Sequence, residues 1–176
     1  MSSTTLHDLA ITALTDKGDG IGVAQGRKVF VSGALPGEQV SVRLHGIKPG
    51  YAQGELLAVQ LASPDRVPNF CPHDECGGCQ LGMLNYPAQL RLKRQLVVEA
   101  LAAKGLEAEV AECLGMSEPY AYRNKALYAV RASADGAELG FFRKLSHELV
   151  ACDDCAIQPG LTAELVAEVR AWLREY

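Results

Sequence analysis

Lys28-Val29-Phe30-Val31-Ser32-Gly33-Ala34-Leu35-Pro36-Gly37-Glu38-Gln39-Val40-Ser41-Val42-Arg43-Leu44 decides the fold of the first third of the chain. Apolar and polar side chains alternate on both sides of a Leu35-Pro36-Gly37 turn, the period-2 signature of strands with one buried face. Working outward, residues 9–14, 21–24 and 51–61 give further short apolar and β-branched runs. Turn signals separate them: Lys17-Gly18-Asp19-Gly20, Gly26-Arg27 and Lys48-Pro49-Gly50. About five strands within residues 6–62 bury little area as a flat sheet. Closure into a small OB-like barrel removes the free edges and creates a core. The run Ser63-Pro64-Asp65-Arg66-Val67-Pro68-Asn69-Phe70 then ends the last strand, because its two prolines cannot continue a ladder. A domain boundary is therefore expected after residue 64, with residues 65–176 forming a second region.

The chain has 176 residues, 48% hydrophobic and 22% charged, with a formal net charge of −4. This is the composition of a globular chain, neither disordered nor fibrous. No apolar stretch approaches the roughly 20 residues of a membrane span. The start, Met1-Ser2-Ser3-Thr4-Thr5, soon meets Asp8, Asp16 and Asp19 and has no signal-peptide pattern. A cytoplasmic location is expected, with no membrane partner. The acidic balance excludes a surface that is basic all over, so nucleic acid would need a local basic face.

In a reducing compartment six cysteines read as metal-binding or catalytic before they read as disulfides. Cys71-Pro72-His73-Asp74-Glu75-Cys76-Gly77-Gly78-Cys79 sets three thiols within nine residues. The paired glycines let the backbone wrap and turn amide N–H groups inward, which suits the sulfide acceptors of an iron–sulfur cluster. Three close cysteines with a distant fourth is a normal arrangement for such clusters. Cys113, Cys152 and Cys155 are the candidates for the fourth. The rival is zinc on the pairs Cys76-x₂-Cys79 and Cys152-x₂-Cys155, which leaves Cys71 unused.

Asn85, Pro87 and Gly105 predict a helix over about 85–105, carrying Arg91, Lys93 and Arg94. Residues 126–131, 137–142 and 147–151 predict three strands, the first two joined at Ala134-Asp135-Gly136. Leu161, Leu165, Val166, Val169, Trp172 and Leu173 predict one apolar face on a final helix over 162–176. That helix meets the last residue with no C-cap signal, the pattern of a chain cut short. Positive charge gathers at Arg123, Lys125, Arg131, Arg143 and Lys144, interleaved with Tyr120, Tyr122, Tyr128, Phe141 and Phe142. Cations of this kind bind phosphates and exposed aromatics stack on unpaired bases. Lys17, Arg27, Lys28 and Lys48 lie at barrel turns, where plain solvation is the simpler reading.

Ile21-Gly22-Val23-Ala24 with the run 29–38 resembles the TRAM domain, an OB-like RNA-binding barrel. Cys71-Pro72…Cys76-Gly77-Gly78-Cys79-Gln80, Tyr122-Arg123-Asn124-Lys125, Gly140-Phe141-Phe142, Ser146-His147 and Cys155-Ala156-Ile157-Gln158 resemble, in the same order, the bacterial RNA (uracil-5-)-methyltransferases. Four residues separate Cys71 from Cys76, one fewer than in that family's pattern. The resemblance implies a mainly β fold with α: a five-stranded TRAM barrel over 1–64, then a truncated α+β iron–sulfur central domain over 65–176. It implies a 4Fe–4S cluster on Cys71, Cys76, Cys79 and Cys155. It also implies RNA contact at Arg123, Asn124 and Lys125, and more weakly at Arg143 and Lys144. The family forms 5-methyluridine in ribosomal or transfer RNA with S-adenosylmethionine. The sheet that holds this cofactor and the catalytic cysteine have no counterpart here, so the chain is expected to be inactive alone. The helix over 86–104 is expected to pack on that absent domain, and the protein to be a monomer. A free-standing RNA-binding adaptor stabilised by zinc or a cluster is the second expectation.

Overall fold

The structure is a computed structural model that describes residues 4–134 and 136–175. Strands β1 (Thr5–Leu14), β2 (Asp19–Ala24), β3 (Arg27–Ser32), β4 (Gln39–His45) and β5 (Tyr51–Leu61) close into a barrel in the order β1-β2-β3-β5-β4. This is the five-stranded closure that the alternation predicts. Neighbours are antiparallel except β3 and β5, whose parallel pairing sets Lys28 beside Tyr51 and Phe30 beside Gln53. The ring closes through β1 and β4, with a register shift between Leu6 and Leu9 where Asp8 adopts φ 56°. A residue in that conformation makes a bulge, which bends the strand around the barrel.

Val29, Val31, Val40 and Val42 point inward and join Leu9, Ile11 and Ala34 in one buried cluster. These side chains leave no room on the other strands. A Cβ at Gly54 would lie 3.2 Å from Val31, and one at Gly20 would lie 2.8 Å from the Ala34 carbonyl oxygen. The inward positions of β2 and β5 are accordingly Gly20, Gly22, Ala52 and Gly54.

The 63–67 segment is clasped to the barrel by one buried carboxylate. Glu38 accepts from the backbone N–H of Leu35 at 2.8 Å, from that of Ser63 at 3.2 Å, and from Arg66 Nε at 2.5 Å. Arg66 also donates to the Gly33 carbonyl at 2.7 Å. Asp65 accepts from the Asn85 side chain at 2.8 Å and from Arg91 at 2.9 Å. Asn85 in turn caps helix α1 (Tyr86–Ala102) by accepting from the Ala88 N–H at 2.8 Å. Ala88 is buried with Leu35 and Leu84, and Leu92 packs against them. One compact unit thus comprises residues 1–68 and 80–113.

A second unit comprises residues 69–79 and 114–176. Its sheet has the order β6-β7-β8, built from β6 (Ala129–Ser133), β7 (Gly136–Phe142) and β8 (Leu149–Ala151), and α2 (Gly160–Glu175) packs on β7. The first of these strands begins three residues later than expected. Residues upstream of it bond elsewhere, Ala121 N–H donating to Ala156 and Arg123 N–H to Ile157. β8 begins after His147 because Ser146 and Glu148 form a tight turn, their N–H groups donating to the Arg143 carbonyl and the Ser146 hydroxyl. The expected turn at Ala134-Asp135-Gly136 falls partly on Asp135, which lies outside the described residues, as do residues 1–3 and Tyr176. The single apolar face expected of the last helix divides. Val166 is buried, whereas Leu161, Leu165, Val169 and Trp172 lie on the exposed side. Among the described residues no helix is long and apolar enough to cross a membrane.

Candidate functional site

One of the two glycines of the cysteine loop, Gly77, acts through its lack of a side chain. Gly77 N–H donates to the Phe142 carbonyl at 3.0 Å, and Cys76 forms a bridge with Arg143. A Cβ at Gly77 would lie 2.9 Å from both Phe142 O and Lys144 N. Only glycine lets the loop approach the end of β7 this closely. Gly78 N–H donates to the Cys76 sulfur at 3.4 Å. Glu75 holds Arg143 at 2.8 Å from one side, with Glu148 at 2.9 Å from the other.

The opposite wall comes from the segment after β8. Cys152 N–H donates to the Leu139 carbonyl at 3.0 Å, which carries the β7–β8 pairing one step further. Gln158 N–H donates to Cys155 O at 2.8 Å, and buried Gln158 accepts from the Tyr128 hydroxyl at 3.2 Å. Tyr128 packs on Phe141 with ring centroids 4.6 Å apart. The Arg123 bond to Ile157 lays residues 121–123 alongside this wall.

These walls enclose a cavity of about 620 Å³ lined by Cys71, Cys76, Cys79, Cys152 and Cys155 together with Arg123, Asn124 and Lys125. All four cysteines of the expected ligand set are present, and so are the three leading RNA-contact candidates. Arg143 and Lys144 do not line it. Arg143 lies between two carboxylates, and Lys144 lies against Gly77. Cys113 belongs to the barrel-containing unit. Cys152, a candidate fourth ligand on spacing alone, is 2% exposed and forms part of the same wall.

The thiols act on one another. Burial pushes the Cys79 thiol up, and charge on Cys155, Cys71 and Cys76 pushes it further, while Arg123 pulls it down. Burial likewise raises Cys155, against the Ile157 backbone N–H and Arg123. Cys152 is pushed up to about 12 by burial and by the neighbouring thiolates. Cys79, Cys152 and Cys155 thus resist ionisation where no cation is near, and thiolate is the form that ligates a metal. Among the described residues no three His, Cys, Asp or Glu side chains stand at the spacing of a single metal ion.

The sequence reading missed Tyr128 and Gln158 as supports for this cavity. Gln158 ends the Cys155-Ala156-Ile157-Gln158 motif, but its bond to a tyrosine thirty residues earlier has no local signal.

Residues 7–57 match the TRAM domain family. Over 172 residues, 97% of its length, the chain is 36% identical to an uncharacterized RNA methyltransferase of Clostridium tetani, of which it covers 37%. Over 171 residues, 95% of its length, it is 38% identical to one from Bacillus cereus, again covering 37%. The crystal structure of Pyrococcus abyssi tRNA (uracil-54, C5)-methyltransferase in complex with S-adenosyl-L-homocysteine is similar in fold. It has a TM-score of 0.65 and 26% identity over 96% of this chain and 37% of that one. The chain spans under two fifths of the length of these relatives. It carries a TRAM domain, a type that binds RNA, and is homologous to RNA methyltransferases.

Proposed function

We propose that this chain is the RNA-binding and iron–sulfur portion of a cytoplasmic, S-adenosylmethionine-dependent RNA (uracil-5-)-methyltransferase that forms 5-methyluridine in ribosomal or transfer RNA. In this reading residues 1–64 are an RNA-binding barrel, residues 65–176 are the cluster-binding region, and the protein is a monomer. The observation that carries it is the meeting of Cys71, Cys76, Cys79 and Cys155 with Arg123, Asn124 and Lys125 on one cavity. A 4Fe–4S cluster would use Cys71, which lines the cavity, whereas zinc on the pairs Cys76-x₂-Cys79 and Cys152-x₂-Cys155 leaves it unused.

When bound, the cluster supplies a rigid link between the 71–79 loop and the segment at 155, so that binding energy becomes folding energy. The chain's own residues do the rest. Gly78 N–H supports the Cys76 sulfur, and Arg123 offsets negative charge at Cys79 and Cys155. Asn124 and Lys125 continue this exposed edge, where a phosphate and a nucleotide edge find a cation and an amide. The methyl transfer itself falls outside these residues.

Anaerobic purification followed by metal analysis tests the reading directly: about four iron and four sulfide per chain are expected. Zinc without sulfide would support the adaptor and sink the cluster. Cys79→Ala is expected to give colourless, insoluble protein. A folded Cys79→Ala that bound RNA as before would remove the structural role of the cluster. Arg123→Gln and Lys125→Gln are each expected to weaken RNA binding across sequences. Each should also shrink the dependence of log affinity on log salt by about 0.7, one phosphate contact on a single strand. Titration by fluorescence anisotropy at several salt concentrations reads both effects.

A further inference from the structure

The β2–β3 turn and the β4–β5 turn lie at one end of the barrel. Gln25 and Gly26 form the first with φ 50° and 74°. The parallel register sets Lys28 beside Tyr51, Lys28 N–H donates to Gly50 O, and Lys48 N–H donates to Tyr51 O at 2.8 Å. Lys28 and Phe30 alternate with the buried Val29 and Val31, so both face outward. Tyr51 likewise alternates with buried Ala52 and is 43% exposed. Its ring meets Phe30 edge-on, with centroids 6.0 Å apart and planes at 62°.

Three cations border this pair. Residues 23–30 and 45–53 contain Arg27, Lys28 and Lys48 and no aspartate or glutamate, in a chain whose formal charge is −4. Arg27 Nε is buried without a hydrogen-bond partner. The terminal amino groups of Arg27, with the Lys28 and Lys48 ammonium groups, are the donors that suit phosphate oxygens. An exposed aromatic face bordered by acid-free cations has the two elements of single-strand recognition, a stacking platform and a backbone track. A protein partner would gain from Val23 and Ile47, exposed nearby, but would leave three cations unmatched.

We propose that this barrel rim holds an unpaired nucleotide of single-stranded RNA, its base stacked on Tyr51 and its backbone phosphate held by Arg27, Lys28 and Lys48. The proposal rests on the RNA-binding reading and gives the barrel its own subsite, separate from the residues at 123–125. Plain solvation of these turn cations, the simpler reading of the sequence, gives no role to the exposed Tyr51 ring that they border.

The test uses the full 176-residue chain. The probes are a fluorescently labelled ten-nucleotide single-stranded RNA and the same strand annealed to its complement. Tyr51→Ala should weaken single-strand binding about 5- to 150-fold, the range of one base stack of 1–3 kcal/mol. Tyr51→Phe should bind within about twofold of the unaltered chain, and duplex binding should change little in either variant. Arg27→Gln should weaken binding and reduce the salt slope by about 0.7. Equal binding by a folded Tyr51→Ala, checked by its circular dichroism melt, overturns the subsite while leaving RNA binding at residues 123–125 intact. Equal loss on single strand and duplex overturns it too, and so does an Arg27→Gln variant whose salt slope is unchanged. If the unaltered chain binds neither probe, the underlying RNA-binding reading fails and the subsite falls with it.

Discussion

Glu38→Ala is expected to destabilise the barrel-containing unit by about 3–5 kcal/mol, because it removes one partner of a buried ion pair and leaves the other uncompensated. Arg66 would lose its carboxylate, and the N–H groups of Leu35 and Ser63 would lose their acceptor. For a domain of this size the melting temperature should fall by about 12 °C or more. Glu38→Gln should recover only part of the loss, since an amide keeps the volume but not the charge. The pH dependence has a definite sign. Burial by itself would raise the Glu38 pKa, but the Arg66 hydrogen bond and the Leu35 and Ser63 backbone donors outweigh it and hold the group below its ordinary 4.5. A carboxylate depressed on folding stabilises fully above its unfolded value and ceases to do so as pH falls through its folded one. The unaltered chain should therefore lose melting temperature as pH drops below about 4.5, and Glu38→Gln should show a shallower decline. Circular dichroism melts from about pH 6 to pH 3 measure both effects. Equal slopes in the two proteins would contradict the assignment.

Gly140→Ala should be comparably severe in the other unit. A Cβ at Gly140 would lie 2.0 Å from the Val150 carbonyl oxygen and 2.9 Å from Ala151 Cα, both backbone atoms of the paired strand. No side-chain rotation relieves such a contact, so β7 and β8 must separate. The Gly140–Ala151 pair is the last rung before the Cys152 N–H bond to Leu139, so the 152–155 wall of the cavity should move with it. A loss of about 3 kcal/mol or more is expected, the upper range for overpacking because the clash is with backbone. Far-ultraviolet circular dichroism reports the transition, because α2 packs on β7 and both elements lose their backbone hydrogen bonds when this unit opens. Urea unfolding followed by circular dichroism should shift its midpoint to lower concentration. A Gly140→Ala protein with an unchanged midpoint would mean that the two strands part without consequence.

Much of the barrel is legible in the sequence, because strand alternation is a local property. Val29, Val31, Val40 and Val42 announce their buried face by period alone, and the observed core contains all four. Asn85 and Pro87 announce the start of α1 in the same way, since capping is a matter of three or four consecutive residues. The strands of the second unit were located less well. Residues 126–128 read as strand by composition, yet the preceding backbone bonds to residues 156–157, a partner thirty-odd positions away. The final helix shows the same limit. Its six apolar positions satisfy one helical stripe, but packing on β7 buries Val166 and leaves four of the others outside.

The chain's own letters determined which residue types were available and how far apart they stood: three thiols in a glycine-bearing loop, a basic run at 123–125, a turn glutamate at 38. Tertiary structure decided which of them share a space. It set Cys152 and Cys155 across one cavity from Cys71, matched Glu38 to Arg66, and enclosed the Arg27 nitrogen without an acceptor. The reason is physical. Local propensity is set by neighbours along the backbone, whereas ligation, ion pairing and burial depend on distances that exist only once remote segments have closed on one another.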